Sequence, residues 1–442
     1  MDYATAIETL EAALKFGINP SLDGIRALSD ALGRPQDAFA CVQVTGTNGK
    51  SSTTRLVAAL LAAEGLTTAA YTSPHLESYT ERIELGGLPV GEDDFALAIT
   101  AAADAARAVG GDVGSFTEFE LLTVAALWLM RERGVGVACL EVGMGGRWDS
   151  TSVVDPAVAV VTGVGLDHTE RLGLTVEAIA ADKSQIIKAG ASVVLGPGTA
   201  SVAGIFLERA AGLGLHPRFV AEYGAASPVD EALTARFAVR LRPDSPGGAL
   251  TLDVRGVHAE YAGLELTAPA YQAPNVAVAV AAAECALGRA LDAGAARGAL
   301  AKMTFPGRFE VLATDPPLVI DGAHNPQAAG VLADAISDAW PDERVRPLCV
   351  LGVLTDKDAD GIVRALAPVV DGFVVTQPDS PRARDAGDLA AIVEYATGSW
   401  PEIRPDLADA LTHARTHAGA HGVVVTGSLY TAGQARAISR IR

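Results

Sequence analysis

The run Gly46-Thr47-Asn48-Gly49-Lys50-Ser51-Ser52-Thr53 stands between a short apolar segment, Ala40-Cys-Val-Gln-Val-Thr45, and a helical pattern that reaches Glu64. A glycine-rich turn leading from a strand into a helix aims backbone N–H groups at an anion, and the helix dipole adds to the attraction. Lys50 has the reach to meet the β- and γ-phosphates of a nucleotide, and the Ser51 hydroxyl can bind Mg²⁺. The longer P-loop spacing is not met, because Val44 stands where its first glycine would be; the shorter form G-T-N-G-K-S is present. An ordinary helix N-cap would need neither the lysine nor the hydroxyl. No G-x-G-x-x-G opens a helix after a strand, so a dinucleotide fingerprint is absent.

Three further polar turns hold groups that could meet a cation. Ser73 follows an apolar segment, Glu141 ends one, and His168 follows another. Hydroxyl, carboxylate and imidazole together suit Mg²⁺ bridging phosphates, because that ion keeps several waters and needs few protein ligands. A zinc site would want more His or Cys. Each residue alone reads equally well as a turn hydroxyl, a capped carboxylate or a turn histidine; their common placement at strand ends favours the joint reading.

The elements that must position these groups follow from periodicity. Residues 2–15 read as an amphipathic helix, with Ile7, Leu10 and Leu14 at helical spacing, and residues 21–32 as a second. Strands are expected at 40–45, 68–71, 135–141, 158–164 and 192–195, with a long apolar helix at 119–131. Strands alternating with helices imply βαβ units and a parallel sheet, and ligands of such sheets sit at the carboxyl ends of the strands. All four polar turns fall there. Residues 220–270 change character: Ala235–Leu241 and Leu250–Val254, split by Pro-Gly turns, read as antiparallel hairpins. An Ala-rich helix is expected over about 275–291 and a domain boundary near 296. A second alternation then begins, with strands at 318–320, 347–351, 372–376 and 423–426 and helices at 326–338, 359–368 and 387–397.

Composition limits what these groups can serve. The 442 residues suffice for two or three domains, and the hydrophobic share of 49% fits a packed globular chain. The formal net charge of −19 argues against a broad nucleic-acid surface, which would be basic. Only Lys15, Lys50, Lys183, Lys188, Lys302 and Lys357 are lysines, so a lysine inside a motif points to chemistry. Cys41, Cys139, Cys285 and Cys349 form no C-x-x-C pair and read as free thiols of a reducing compartment. The first residues lack a basic segment followed by an apolar one, and no long uncharged apolar run stands out. A cytoplasmic protein without membrane or nucleic-acid partners is expected.

With these residues in view, the chain resembles the folylpolyglutamate synthase/dihydrofolate synthase family, a branch of the Mur ligases. The resemblance rests on Val44–Ser52, on Tyr71-Thr-Ser-Pro-His-Leu76 with Glu81-Arg82, and on Glu141-Val-Gly-Met-Gly-Gly-Arg-Trp-Asp149. It continues in Gly165-Leu-Asp-His-Thr169, Asp182-Lys183 with Ile186-Ile187, Phe305-Pro-Gly-Arg-Phe309, Asp321-Gly-Ala-His-Asn-Pro326, Asp356-Lys-Asp358 and Gly427-Ser428. These stretches occur in the family's order along essentially the whole chain. Ser-Ser after the lysine, and Trp after Gly-Gly-Arg, look like actinobacterial members.

The resemblance implies an α/β protein with an N-terminal P-loop Mur-ligase-type ATPase domain (1–296) and a smaller C-terminal Rossmann-like domain (297–442). It implies ATP-dependent addition of L-glutamate to a folate or pteroate carboxylate through an acyl phosphate, in a monomer whose domains close for reaction. It assigns ATP to Gly46 through Ser52 with Asn275 at the adenine, Asp321 at the ribose and Arg308 at the phosphates. Two Mg²⁺ would involve Ser51, Ser73, Glu141, His168 and Lys183, the last as a carbamate, which requires a neutral amine. Lys50, Lys183, Arg308 and His324 would carry the chemistry. Three departures stand out. Ser51 replaces the usual glycine, Asp149-Ser-Thr-Ser152 replaces D-A-T-N, and the last motif reads Gly427-Ser-Leu-Tyr-Thr431. The same scaffold acting on another carboxylate, such as a cell-wall or specialised-metabolite precursor, and a P-loop ATPase or kinase without ligation are the alternatives.

Overall fold

The computed structural model describes residues 1–13, 20–342 and 344–440. Two compact units emerge: Met1–Ala238 with Asp253–Leu264 and Ala273–Ala301, and Val239–Leu252 with Glu265–Gln272 and Lys302–Arg442. The first helix spans Tyr3–Ala13; Leu14 and Lys15, its expected end, lie outside the described residues.

Among the described residues, eleven strands form the larger sheet. They are β1 (Ala40–Thr45), β2 (Thr68–Tyr71), β3 (Ile83–Leu85), β4 (Leu88–Pro89), β5 (Val137–Glu141), β6 (Val158–Gly163), β7 (Ser192–Gly198), β8 (Arg218–Glu222), β9 (Thr234–Leu241), β10 (Ala249–Arg255) and β11 (Glu260–Thr267). Their order is β11-β10-β9-β8-β7-β6-β1-β5-β2-β3-β4. The run from β2 through β9 is parallel at each of its pairs, and β3 and β4 close one edge antiparallel. β9, β10 and β11 lie side by side in chain order at the opposite end, where hairpins are expected. The sheet's middle is buried on both faces, so β1 from Cys41 onward and all of β5 are buried with no in–out alternation, the polar Gln43, Thr45 and Glu141 included.

Two apolar layers lie side by side on one face of this sheet, because the registers set Gln43 level with both Leu140 and Ala159. One packs Phe95, Ile99, Leu121, Leu122 and Met130 against Ala69, Ala138 and Leu140. The other packs Ile179, Ile187, Phe206 and Ala210 against Val161, Leu195 and Phe219. Truncating one such Leu or Phe to Ala costs about 2–5 kcal/mol, because the cavity left behind collapses only partly. The helix Glu92–Ala108 within the first layer has no counterpart in the periodicity reading. Its inward face is mostly alanine, which gives little hydrophobic contrast between faces; its signal is Gly91 followed by Glu92, Asp93 and Asp94, acidic residues suited to a helix N-terminus.

The second unit holds a smaller sheet of β12 (Glu310–Thr314), β13 (Pro317–Ile320), β14 (Leu348–Leu351), β15 (Gly372–Val375), β16 (Glu402–Ile403) and β17 (Val423–Thr426), in the order β12-β13-β17-β14-β15-β16. All pairs are parallel except β12–β13. The helices Pro326–Ala339, Ala359–Leu366 and Ala386–Thr397 cover one face through Leu332, Ile336, Ile362, Val363 and Leu389. Among the described residues, no helix is long and apolar enough to cross a membrane. All four cysteines are free; Cys41, Cys139 and Cys349 are buried and Cys285 partly exposed.

Candidate active site

β6, β1, β5 and β2 are neighbours in that order and run parallel, so their carboxyl ends share one edge of the sheet. The turns that follow them carry Gly46–Thr53, Ser73, Glu141–Arg147 and Gly165–Thr169. The β1–β5 register sets Val44 opposite Glu141, which brings the glycine-rich turn level with that carboxylate.

The turn after β1 is shaped by two glycines. A methyl group on Gly46 would lie 1.9 Å from Thr162 Oγ1, and Gly49 has φ +82°, where a methyl group would lie 2.4 Å from Asn275 Oδ1. Only glycine fits at either place. The Thr47 N–H donates to the Gly163 carbonyl (2.9 Å), and the Thr162 hydroxyl donates to the Asn48 carbonyl (2.6 Å). Helix Lys50–Ala63 then starts with no side chain capping its first turn. Amide N–H groups with no intrahelical acceptor, at the positive end of a helix dipole, make an anion site. Lys50 folds over the same turn, its Nζ donating to the Thr47 carbonyl at 3.2 Å.

Glu141 is the hub of the next turns. It is 1% exposed. The Ser51 hydroxyl donates to its Oε1 at 3.0 Å and the Ser73 N–H to its Oε2 at 3.0 Å. Hydroxyl and carboxylate oxygens thus meet at one strand edge, a hard-oxygen set of the kind Mg²⁺ takes while keeping part of its water shell. These residues fit a divalent cation. Among the described residues, no group of three or more His, Cys, Asp and Glu could hold an ion by itself. His168 sits on the turn after β6 with left-handed backbone (φ +51°), half-exposed, its Nε2 3.8 Å from Asp167 Oδ2.

Lys183 ends the helix Val176–Lys183 and points inward, 4% exposed, its Nζ donating to the Gly46 carbonyl at 3.0 Å. Burial, and then the nearby Lys50 charge, bring its pKa down to about 7. An amine at that value is substantially neutral near pH 7, and neutral amine is the form that reacts with electrophiles.

In the second unit, Asp321 follows β13. Its carboxylate accepts from the N–H groups of Phe309 (2.7 Å) and Ala323 (2.8 Å) and from the Tyr271 hydroxyl (3.1 Å). Burial raises its pKa, against the opposing pull of Arg308. His324 Nδ1 lies 2.9 Å from the Gly322 carbonyl, which can only accept, so Nδ1 is the donor, and in the neutral ring Nε2 is the acceptor. Asn325 caps the helix Pro326–Ala339 through Ala328 N–H.

The Mur ligase middle domain family matches residues 44–283, and the Mur ligase glutamate ligase domain family matches residues 307–429. A dihydrofolate synthase/folylpolyglutamate synthase of Mycobacterium tuberculosis is 36% identical, over 95% of this chain and 90% of that one. The chain belongs to the dihydrofolate synthase/folylpolyglutamate synthase family of Mur ligases. A solved M. tuberculosis folylpolyglutamate synthase, complexed with ADP and AMPPCP, matches with TM-score 0.88 and 33% identity over 99% of both chains. A bifunctional member of the family solved with Mn, AMPPNP and L-glutamate bound matches with TM-score 0.83 and 28% identity, over 99% of this chain and 98% of that one. A probable bifunctional folylpolyglutamate synthase/dihydropteroate synthase of Haloferax volcanii is 35% identical over 99% of this chain, which spans 50% of its length.

Ser51, where the family usually has glycine, adds the hydroxyl that bonds Glu141. Ser152 and Thr151, in the D-S-T-S stretch, accept from the buried Gln43 amide at 3.1 Å each, while Ser152 donates to the Gly146 carbonyl. These bonds fix the turn after β5 from below. Gln43 and Thr162 are supporting residues that motif reading passes over. Both signals are present in the sequence: a polar side chain inside a strand buried on both faces must find a buried partner. Tyr271, which bonds Asp321, carries no comparable signal, since it lies fifty residues away.

Proposed function

We propose that this chain joins L-glutamate to the carboxylate of a folate-type substrate, dihydropteroate or a reduced folate, with ATP cleaved to ADP and phosphate. The observation that carries the reading is the convergence of Lys50, Ser51, Glu141 and Lys183 on one uncapped helix N-terminus. A carboxylate is a poor acyl donor, so its oxygen first attacks the γ-phosphorus of ATP and ADP departs. That transfer depends on charge neutralisation and in-line placement. The 46–53 turn and Lys50 hold the phosphates, with Asn275 serving the adenine. Divalent cations held by Ser51, Ser73, Glu141 and His168 would offset phosphate charge during this transfer. The glutamate amine then attacks the acyl carbon, and phosphate leaves with the C–O electron pair.

The amine must lose a proton as the amide forms. His324 suits this step, because in its neutral tautomer Nε2 is an acceptor. Arg308 serves phosphate charge and Asp321 the ribose; since three donors already occupy the Asp321 carboxylate, little of its accepting capacity is left for a ligand. Lys183 reacts as neutral amine with CO₂, releasing one proton and forming a carbamate whose oxygens can serve a second cation. The reading is of a cytoplasmic monomer acting on small molecules.

The test is phosphate release with ATP alone, with glutamate added, and with glutamate plus dihydropteroate or tetrahydrofolate, together with mass detection of the amide. Release that requires both co-substrates and matches amide one to one supports the ligase. Release with ATP alone at the full rate identifies a simple ATPase. Turnover only with a different carboxylate moves the substrate elsewhere on the same scaffold.

A further inference from the structure

The loop between β2 and β3 carries Ser73 at one end and Arg82 at the other, and Arg82 is 9% exposed. A buried guanidinium is costly unless its donors are used. Its carboxylate partner, Glu118, is not close: Nη2 to Oε1 is 3.7 Å. The short contact runs elsewhere, since Arg82 Nε donates to His75 Nδ1 at 3.0 Å. The Tyr79 ring lies against the His75 ring, centroids 4.3 Å apart, and under the Arg82 guanidinium at 5.1 Å. At the loop's base the Thr72 N–H donates to the Arg82 carbonyl at 2.9 Å. Glu81 ties down the rest, accepting from the N–H groups of Leu76 (2.8 Å), Glu77 (3.1 Å) and Ser78 (3.2 Å).

Most of these bonds close the loop on itself. Contacts that leave it include the Arg82–Glu118 pair, the Tyr3 hydroxyl with Ser78 Oγ (3.0 Å), and the Ser73 N–H to Glu141 Oε2, which reaches the glycine-rich edge. Two residues separate Ser73 from His75, so fixing the imidazole fixes the backbone that presents Ser73. We propose that Arg82 is a positioning residue: acting through His75, it holds Ser73 on Glu141 and so sets the affinity of this edge for a divalent cation. This rests on the reading that Ser73 and Glu141 hold that cation. The directional guanidinium is what the role needs. Lysine would keep the charge and lose the Nε–H aimed at the ring.

The experiment uses the full chain and Mn²⁺ alone, with binding measured by electron paramagnetic resonance, and the Mg²⁺ concentration for half-maximal turnover measured separately. Arg82→Lys and His75→Phe are both made; the phenylalanine keeps the stacking on Tyr79 and removes Nδ1. Both variants are expected to bind Mn²⁺ about 10–150-fold more weakly, the range expected when one hydrogen bond to a charged partner is lost. Half-saturating Mg²⁺ should rise by the same factor, with most of kcat regained at high Mg²⁺. The double variant should be no worse than the weaker single one, because the two residues act in series. Folded variants with unchanged Mn²⁺ affinity and Mg²⁺ dependence would overturn the proposal, and lowered thermal stability alone would reduce Arg82 to a packing role. Glu141→Gln distinguishes the two levels: if it leaves Mn²⁺ binding intact, the cation site itself is wrong and this inference falls with it.

Discussion

Lys183 offers a prediction in which stability and chemistry can be read separately. In the unfolded chain its amine has the ordinary value of 10.5, and in the folded chain about 7. Between those values the unfolded chain holds a proton that the folded chain has shed, so stability rises with pH across the window. Below pH 7 both hold it and the whole penalty is in force. At about 1.36 kcal/mol per pH unit the gap amounts to about 5 kcal/mol. Lys183→Met fills similar space without the charge. In CO₂-free buffer it should be more stable than the wild type at pH 6, and that advantage should shrink by about 2 kcal/mol between pH 7 and 9. Denaturant unfolding at each pH measures this. A constant difference across the range would refute the buried, neutral-amine reading. The chemical half is tested by activity. Lys183→Ala and Lys183→Arg should be equally inactive, because neither forms a carbamate, and wild-type activity lost in CO₂-free buffer should return with bicarbonate. A carbonyl signal from ¹³C-bicarbonate on Lys183 would accompany that return. A surface ion pair would behave oppositely: Arg would substitute well and Ala would cost only about 0–1 kcal/mol. Full activity in Lys183→Arg would sink the carbamate.

Other expectations concern the same edge of the sheet. Lys50→Ala should lower ATP-dependent turnover by roughly 10²–10³-fold, as loss of one charge-stabilising group does, with circular dichroism unchanged; a folded variant of near-normal turnover would remove Lys50 from the phosphates. Glu141→Ala and His168→Ala should each cut amide formation sharply and weaken MgATP binding more than glutamate binding, and a normal Mg²⁺ dependence in both would dissolve the proposed cation set. Gly49→Ala puts a methyl group 2.4 Å from Asn275 Oδ1 at φ +82°, so about 1–3 kcal/mol of stability should be lost along with ATP affinity. A Gly49→Ala chain with unchanged ATP binding by calorimetry would show that the turn tolerates reshaping.

Local chemistry alone was enough to locate the glycine-rich turn, the strand that feeds it and the helix it opens, because those features depend on neighbours in the chain. Ala40–Thr45, Thr68–Tyr71 and Val423–Thr426 are strands whose bounds coincide with the apolar runs themselves. Burial on both faces makes such runs continuous and easy to see. The Ala-rich helix expected over about 275–291 is Ala273–Leu287, ending four residues earlier, and a separate helix, Ala293–Leu300, capped by Asp292, follows without a counterpart in that expectation. What residue types could not supply is distance. Ser51 and Glu141 stand ninety positions apart and Lys183 and Gly46 one hundred and thirty-seven, yet each pair lies within 3.0 Å. Strand order and register decide that proximity, and they follow from which apolar faces pack together across the whole sheet, a property no single segment carries. The same holds for the lowered pKa of Lys183. Its type and motif mark it as interesting, but only the tertiary structure takes it out of water and sets Lys50 beside it, and desolvation with like-charge repulsion is what makes its amine neutral.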